Sequence, residues 1–321
     1  MNLKITATVE RWPVAGAFVI ARGAKTHVDV VMVQLLDGKH SGRGEGTPIY
    51  YTGETADGCI AQINALPPDI DRASLQQILP PGAARNAVDC ALWDLDAKRA
   101  GVPLWQLAGL ARPHPLVTAM TVSLDRPERM EAAAREVSRR TALIKIKLAG
   151  ADDLARVAAV RCGAPDARLI VDANESWTNR DVAAEASALV PFGVELIEQP
   201  VRRGEDHLLD GIESPIPLGA DESLHDRSDL AGCRGRYQAI NIKLDKAGGL
   251  TEALALRKDA KALGLKVMVG CMLATSLGIA PAFLVAQDAD WVDLDGALLL
   301  AKDRDESFEL KRGRLYSPSP L

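Results

Sequence analysis

At 321 residues and a net charge of −5, the chain is long enough for one large domain or two ordinary ones, and its scattered basic residues form no stripe for a nucleic-acid backbone. Hydrophobic residues make up 47% and charged residues 25%, an ordinary globular balance, and no apolar run reaches the ~18 residues of a membrane helix. The five cysteines, Cys59, Cys90, Cys162, Cys233 and Cys271, are odd in number, widely spaced and lack a C-x-x-C, which argues against a disulfide frame and a zinc knuckle alike. Reduced thiols, and a start without a signal-peptide profile, give a cytoplasmic location as the expectation.

Residues 3–9 alternate and 28–36 form a β-rich run, predicting an antiparallel meander. Residues 13–26 between them are predicted as a loop carrying Arg22. Gly42-Arg43-Gly44-Glu45-Gly46 has the wrong spacing for a dinucleotide fingerprint, and no helix pattern opens behind it. Helical periodicity then covers 57–66 and 83–100, the second stopped by Gly101 and Pro103. Residues 1–113 therefore read as a small α+β unit, to which the tail, 296–321, is expected to return.

From residue 114 to 295 short apolar runs alternate with helical stretches: 116–123, 143–147, 169–172, 194–198, 217–221, 239–243, 265–270 and 291–295. This βαβα repetition predicts a parallel sheet, and eight strands are enough to close a barrel. Ionisable residues end the successive runs: Lys145 and Lys147, then Asp172, Glu198, Asp221 and Lys243, with Asp293 and Asp295 on the last. The intervals from Lys147 to Lys243 are 25, 26, 23 and 22 residues, each about one strand, one helix and two loops. A single Asp at a strand end is usually a helix cap. Five such groups in phase are not explained by independent caps.

In a barrel those strand ends form the face that carries active sites. Three carboxylates converging there repel one another unless a divalent cation intervenes, and oxygen-only ligands suit Mg²⁺. The lysines on either side of this arc can remove a proton from one face of a carbon and return it on the other. Beside a substrate carboxylate that chemistry creates an ene-diolate, which a cation stabilises. Asp293 and Asp295, two apart, form a receptor for an ammonium group, although Asp295-Gly296 also reads as a turn. Arg22 can clamp a carboxylate. The five histidines fall in predicted loops, no zinc-protease or serine-hydrolase motif occurs, and each reads as structural.

Taken with Phe18-Val19-Ile20-Ala21-Arg22-Gly23, Lys145-Ile146-Lys147, Val171-Asp172-Ala173-Asn174, Glu198-Gln199-Pro200, Ala220-Asp221-Glu222-Ser223, Asn241-Ile242-Lys243-Leu244-Asp245-Lys246 and Asp293-Leu294-Asp295, nearly the whole chain resembles the muconate-lactonizing branch of the enolase superfamily. The likeness is greatest to its dipeptide epimerases of the L-Ala-D/L-Glu type. It implies an α/β fold, a modified TIM barrel (β/α)7β under an N-terminal α+β capping domain. It implies Asp172, Glu198 and Asp221 as Mg²⁺ ligands and Lys147 and Lys243 as acid/base catalysts. Lys145 would help hold the substrate carboxylate, Asp293 and Asp295 the dipeptide α-ammonium, and Arg22 a side-chain carboxylate. Thr121, Cys271 and Leu273 would line the rest of the pocket. The implied activity interconverts L-Ala-L-Glu and L-Ala-D-Glu in reuse of cell-wall (murein) peptide. The expected partner is thus a small dipeptide, with no nucleic acid and no membrane, and a homo-oligomer is left open. Three readings compete with it: an epimerase of other dipeptides, a cycloisomerase or dehydratase of the same superfamily, and a non-catalytic barrel. A paired aspartate argues against the second, and retention of every lysine and carboxylate against the third.

Overall fold

The computed structural model describes residues 2–20 and 23–318. The chain starts with an antiparallel sheet in the order β1 (Lys4–Ile20), β2 (Gly23–Leu36), β3 (Ser41–Gly46). Helices α1 (Ala56–Asn64), α2 (Arg72–Ile78), α3 (Ala83–Ala100) and the short α4 (Leu104–Leu107) follow. Val31, Val33 and Leu35 of β2 pack with Ile63, Leu75, Val88 and Leu95 to form the core of this cap. The glycine-rich stretch is β3 itself. A Cβ on Gly42, Gly44 or Gly46 would lie 2.1–2.2 Å from the carbonyl oxygens of Ala91, Ala87 and Ala83. Alternate glycines on the strand and alanines on the helix therefore let two backbones touch.

The loop expected over 13–26 is instead the outer part of the β1–β2 hairpin. The ladder runs to Pro13↔His27, shifts register, and resumes from Phe18↔Lys25 to Ile20↔Gly23. Gly16, at φ 81, lies in that irregularity. Proline and glycine hid a strand that a bulge accommodates. Arg22 lies outside the described residues.

Eight parallel strands come next: β4 (Ala119–Val122), β5 (Leu143–Lys147), β6 (Arg168–Asp172), β7 (Val194–Glu198), β8 (Leu218–Ala220), β9 (Ala239–Ile242), β10 (Lys266–Gly270) and β11 (Trp291–Asp293), each beside its predecessor. The helices around them are α5 (Pro127–Val137), α6 (Asp153–Gly163), α7 (Val182–Leu189), α8 (Leu230–Cys233), α9 (Leu244–Ala247), α10 (Leu250–Ala262) and α11 (Ser276–Val285). The first and last strands meet where the Thr121 N–H donates to Asp295 and the Leu294 N–H to the Thr118 hydroxyl, closing the sheet into a barrel.

Strand alternation sorts the side chains into layers. Ile144 and Ile146 point outward to the helices, in one cluster with Val171, Ile197 and Ile242. Inside, Ala119, Leu143, Ile170, Leu196, Ala239, Met268 and Trp291 form an apolar floor. Two residues further along the same strands stand Thr121, Lys145, Asp172, Glu198, Asn241, Gly270 and Asp293. The period of two that fills the floor thus also raises the polar layer above it.

The tail serves both halves. Leu300 bridges Val14 and packs with Val28 and Val30. The hairpin of β12 (Glu309–Lys311) and β13 (Arg314–Tyr316) pairs Leu315 with Leu116, and Leu315 joins the barrel's outer core.

Candidate active site

Asp172 and Glu198 close β6 and β7, and Asp221 follows β8 by one residue. All three are buried, and each offers an oxygen within 4.8 Å of the others. This set could hold a metal ion. Its donors are all carboxylate oxygens, which fits a hard cation such as Mg²⁺ and not zinc.

Four lysines surround the triad. Lys147 Nζ donates to Asp172 Oδ2 at 2.6 Å, and Lys243 Nζ to Asp221 Oδ2 at 2.6 Å. Lys145 Nζ sits among Glu198 at 2.6 Å, Asp293 at 2.9 Å and Asp172 at 3.2 Å. Lys246 Nζ donates to the carbonyl of Asp221, to its Oδ1 at 2.6 Å and to the Asn241 carbonyl at 3.0 Å. Lys147 ends β5 and Lys243 follows β9. In a closed barrel of eight, strands four positions apart stand on opposite walls.

The charges set each other's protonation. Burial works to neutralise Asp172, but Lys147 and Lys145 outweigh it and hold its carboxyl at about 2. Asp221 is likewise held well below the usual carboxylate range, against burial, by Lys243 and Lys246. Glu198 goes the other way. Burial, then the charge of Asp172, push it up to about 8. Burial opposes the ammonium forms of Lys145 and Lys243, yet the carboxylates facing them raise both well above the ordinary lysine value.

Asp293 and Asp295 sit at the end of β11, but only the first belongs to the strand. Asp295 caps a helical turn, Gly296–Leu299, so its turn character and its burial coexist. Its Oδ2 accepts the Thr121 N–H at 2.8 Å. Burial, then Asp293, push its carboxyl up to about 7. Asp293 Oδ1 is buried with no hydrogen-bond partner among the described residues. Cys271 Sγ lies 3.3 Å from the Asp293 carbonyl, and the Leu273 carbonyl accepts the Thr47 hydroxyl at 2.9 Å. Of the candidate site residues, Arg22 lies outside the described residues.

Two neighbours of this layer, Asn241 and Lys246, stand in a motif of the sequence but carry no role there. Asn241 Nδ2 donates to Glu198 Oε1 at 2.6 Å. It lies two residues before Lys243, so strand alternation could have found it. Gly270 leaves room for it, since a Cβ there would lie 2.7 Å from Asn241 Oδ1. Lys246 carried no strand signal, because it reaches back from α9.

An eight-stranded barrel with acidic and basic groups on its strand ends, under an α+β cap, defines a class of enzyme. Residues 2–109 match the mandelate racemase/muconate lactonizing enzyme N-terminal domain and residues 129–319 the enolase C-terminal domain-like family. The chain belongs to this branch of the enolase superfamily and is an isomerase. It is 43% identical to the L-Ala-D/L-Glu epimerase of Escherichia coli over 96% of this chain and 97% of that one. It is 42% identical to an N-acetyl-D-glutamate racemase of a Pseudoalteromonas species, over 91% and 93%. An enolase family member from Agrobacterium tumefaciens with homology to dipeptide epimerases, solved with sodium and L-Ala-L-Glu, is 49% identical (TM-score 0.94, 98% of each chain). The dipeptide epimerase of Enterococcus faecalis, solved with Mg and L-Leu-L-Tyr, is 30% identical (TM-score 0.89, 98% and 97%).

Proposed function

We propose that the chain is a Mg²⁺-dependent dipeptide epimerase that interconverts L-Ala-L-Glu and L-Ala-D-Glu. The observation that carries this reading is the pair Lys147 and Lys243, on opposite walls of the barrel with the carboxylate triad between them. One lysine removes the α-proton of the second residue, and the other delivers a proton to the opposite face. Asp172, Glu198 and Asp221 would hold Mg²⁺, which when bound supplies positive charge to the substrate carboxylate as its α-carbon loses a proton. Lys145, two residues before Lys147 on the same face, orients that carboxylate.

The orphaned Asp293 Oδ1, beside Asp295, asks for an N–H donor. The α-ammonium of a dipeptide provides one, whereas an N-acetylated amino acid brings no ammonium. Thr121, Cys271 and Leu273 border this pocket, and Arg22 is assigned to the glutamate side chain. A role in recycling murein peptides follows from that substrate.

Proton NMR of L-Ala-L-Glu in D₂O with enzyme and Mg²⁺, beside other dipeptides and N-acetyl-D-glutamate, tests the reading. Loss of the Glu α-proton signal with growth of the L,D diastereomer is expected. Exchange confined to other dipeptides would move the specificity, and to N-acetylglutamate would demote the ammonium receptor. Exchange with none would return the site to cycloisomerase or dehydratase chemistry.

A further inference from the structure

The two lysines are not anchored alike. After Lys147 the chain is held from within the barrel. The Leu148 N–H donates to the Asp172 carbonyl, and those of Ala149 and Gly150 to the carboxylate of Asp153. After Lys243 the chain enters α9 and is gripped from the cap. Lys243 is the residue on which α9 starts, its carbonyl accepting the Ala247 N–H at 2.9 Å.

One face of α3 makes the grip. Asn86 Nδ2 donates to Asp245 Oδ1 at 2.8 Å, and the Thr47 N–H donates to the same oxygen at 2.8 Å. Arg85 donates from Nη2 to the Ala247 carbonyl at 2.6 Å and from Nε to the Gly248 carbonyl at 3.1 Å. Asp89 accepts the Thr251 N–H at 2.9 Å and its hydroxyl at 2.6 Å. All four charged or amide side chains, Arg85, Asn86, Asp89 and Asp245, are buried. The sequence is fitted to this approach. A Cβ on Gly248 would lie 2.3 Å from Arg85 Nε, and one on Gly249 2.5 Å from Asp89 Cβ. An apolar helix packing on the barrel needs no such set of buried, directed bonds, which are costly when imperfect.

We infer that α3 of the cap is a positioning element for Lys243 and not for Lys147, acting through Asn86, Asp245, Arg85 and Asp89. The inference rests on the two-base reading above. A base displaced by a fraction of its hydrogen-bond reach loses much of its rate, up to about 10²-fold for a shift of 1 Å. Loosening α9 therefore slows the proton transfer that Lys243 performs and leaves the one that Lys147 performs.

Epimerisation needs both lysines, but exchange of the α-proton with solvent needs one, so the isomers separate the two arms. The experiment measures α-proton exchange in D₂O from L-Ala-L-Glu and from L-Ala-D-Glu, with Mg²⁺, for wild type, Asn86→Ala, Asp245→Ala and Asp245→Asn. Far-UV circular dichroism checks folding. We expect Asn86→Ala and Asp245→Ala to slow exchange from one isomer by about 10-fold or more relative to the other. It is the same isomer whose exchange is lost in Lys243→Ala. Asp245→Asn keeps an oxygen for both donors and is expected to restore the wild-type ratio. If neither alanine variant folds, Asp89→Asn carries the same expectation. An equal fall from both isomers, or none, in folded protein would overturn the inference while leaving the two-base reading intact. Absence of exchange from either isomer in wild type would overturn that reading, and this one with it.

Discussion

At the scale of single residues the site is a balance of opposite charges in a buried space. Lys147 and Lys243 each donate to a different outer carboxylate of the triad, so the loss of one lysine does not disturb the other's contact. Truncation of either should therefore remove one face of the chemistry and spare the fold. We expect Lys147→Ala and Lys243→Ala each to lower the rate of epimerisation by about 10³-fold or more, with circular dichroism unchanged. Deuterium incorporation without inversion should survive for one isomer in each variant, and for opposite isomers in the two. Full activity in both single variants would sink the two-base mechanism. Lys145 differs from both. It touches Glu198, Asp293 and Asp172 together, which joins the carboxylate triad to the acidic end of β11.

At the scale of elements, the contact of α3 with β3 is a place where backbone meets backbone. A Cβ on Gly44 would lie 2.1 Å from the Ala87 carbonyl oxygen, and both elements are locked by further contacts on either side. Gly44→Ala should then cost about 3 kcal/mol and lower Tm by roughly 5 °C or more, read by thermal melting. This strand also shows where sequence reading stops. Gly42 to Gly46 excluded a nucleotide loop by spacing, but their service as a track for α3 depends on a helix forty residues later. The barrel was more legible, because β5 and β7 are short, mainly aliphatic segments that each end in a charged residue. Those endings made five ionisable groups in phase with the repeat legible from the sequence alone: Lys147, Asp172, Glu198, Asp221 and Lys243. The outer part of the β1–β2 hairpin was hidden, since Pro13 and Gly16 read as loop and only cross-strand pairing reveals the strand. Helix α2 escaped for a related reason. Its seven residues are too few for a periodic signal, and its start is set by a capping box between Asp71 and Ser74. Asn241 could have been read from alternation, whereas the grip of α3 on α9 joins residues more than 150 positions apart.

At the scale of the whole molecule, the barrel concentrates charge that the rest of the fold must tolerate. Three carboxylates share one buried point, and burial together with Asp172 pushes Glu198 up to about 8. A carboxyl raised in the folded state binds its proton more tightly there than in the unfolded chain. Its contribution to stability is full below the ordinary Glu value and is lost as pH rises through about 8. Mg²⁺ acts in the opposite sense, because it binds the ionised triad of the folded chain and competes with that proton. Two consequences follow. Saturating Mg²⁺ should raise Tm, by the equivalent of about 2.7 kcal/mol when present at about 100 times its dissociation constant. The affinity behind that rise should increase with pH until Glu198 is fully ionised, so the Mg²⁺-dependent increment is larger above pH 8 than at neutral pH. Glu198→Gln, which keeps an acceptor for Asn241 but presents no ionisable proton, should lose most of the increment and its pH dependence. Thermal melting with and without Mg²⁺ across this range checks both, independently of any substrate. An increment that is flat with pH, or that survives in Glu198→Gln, would mean that the triad is not where the cation binds.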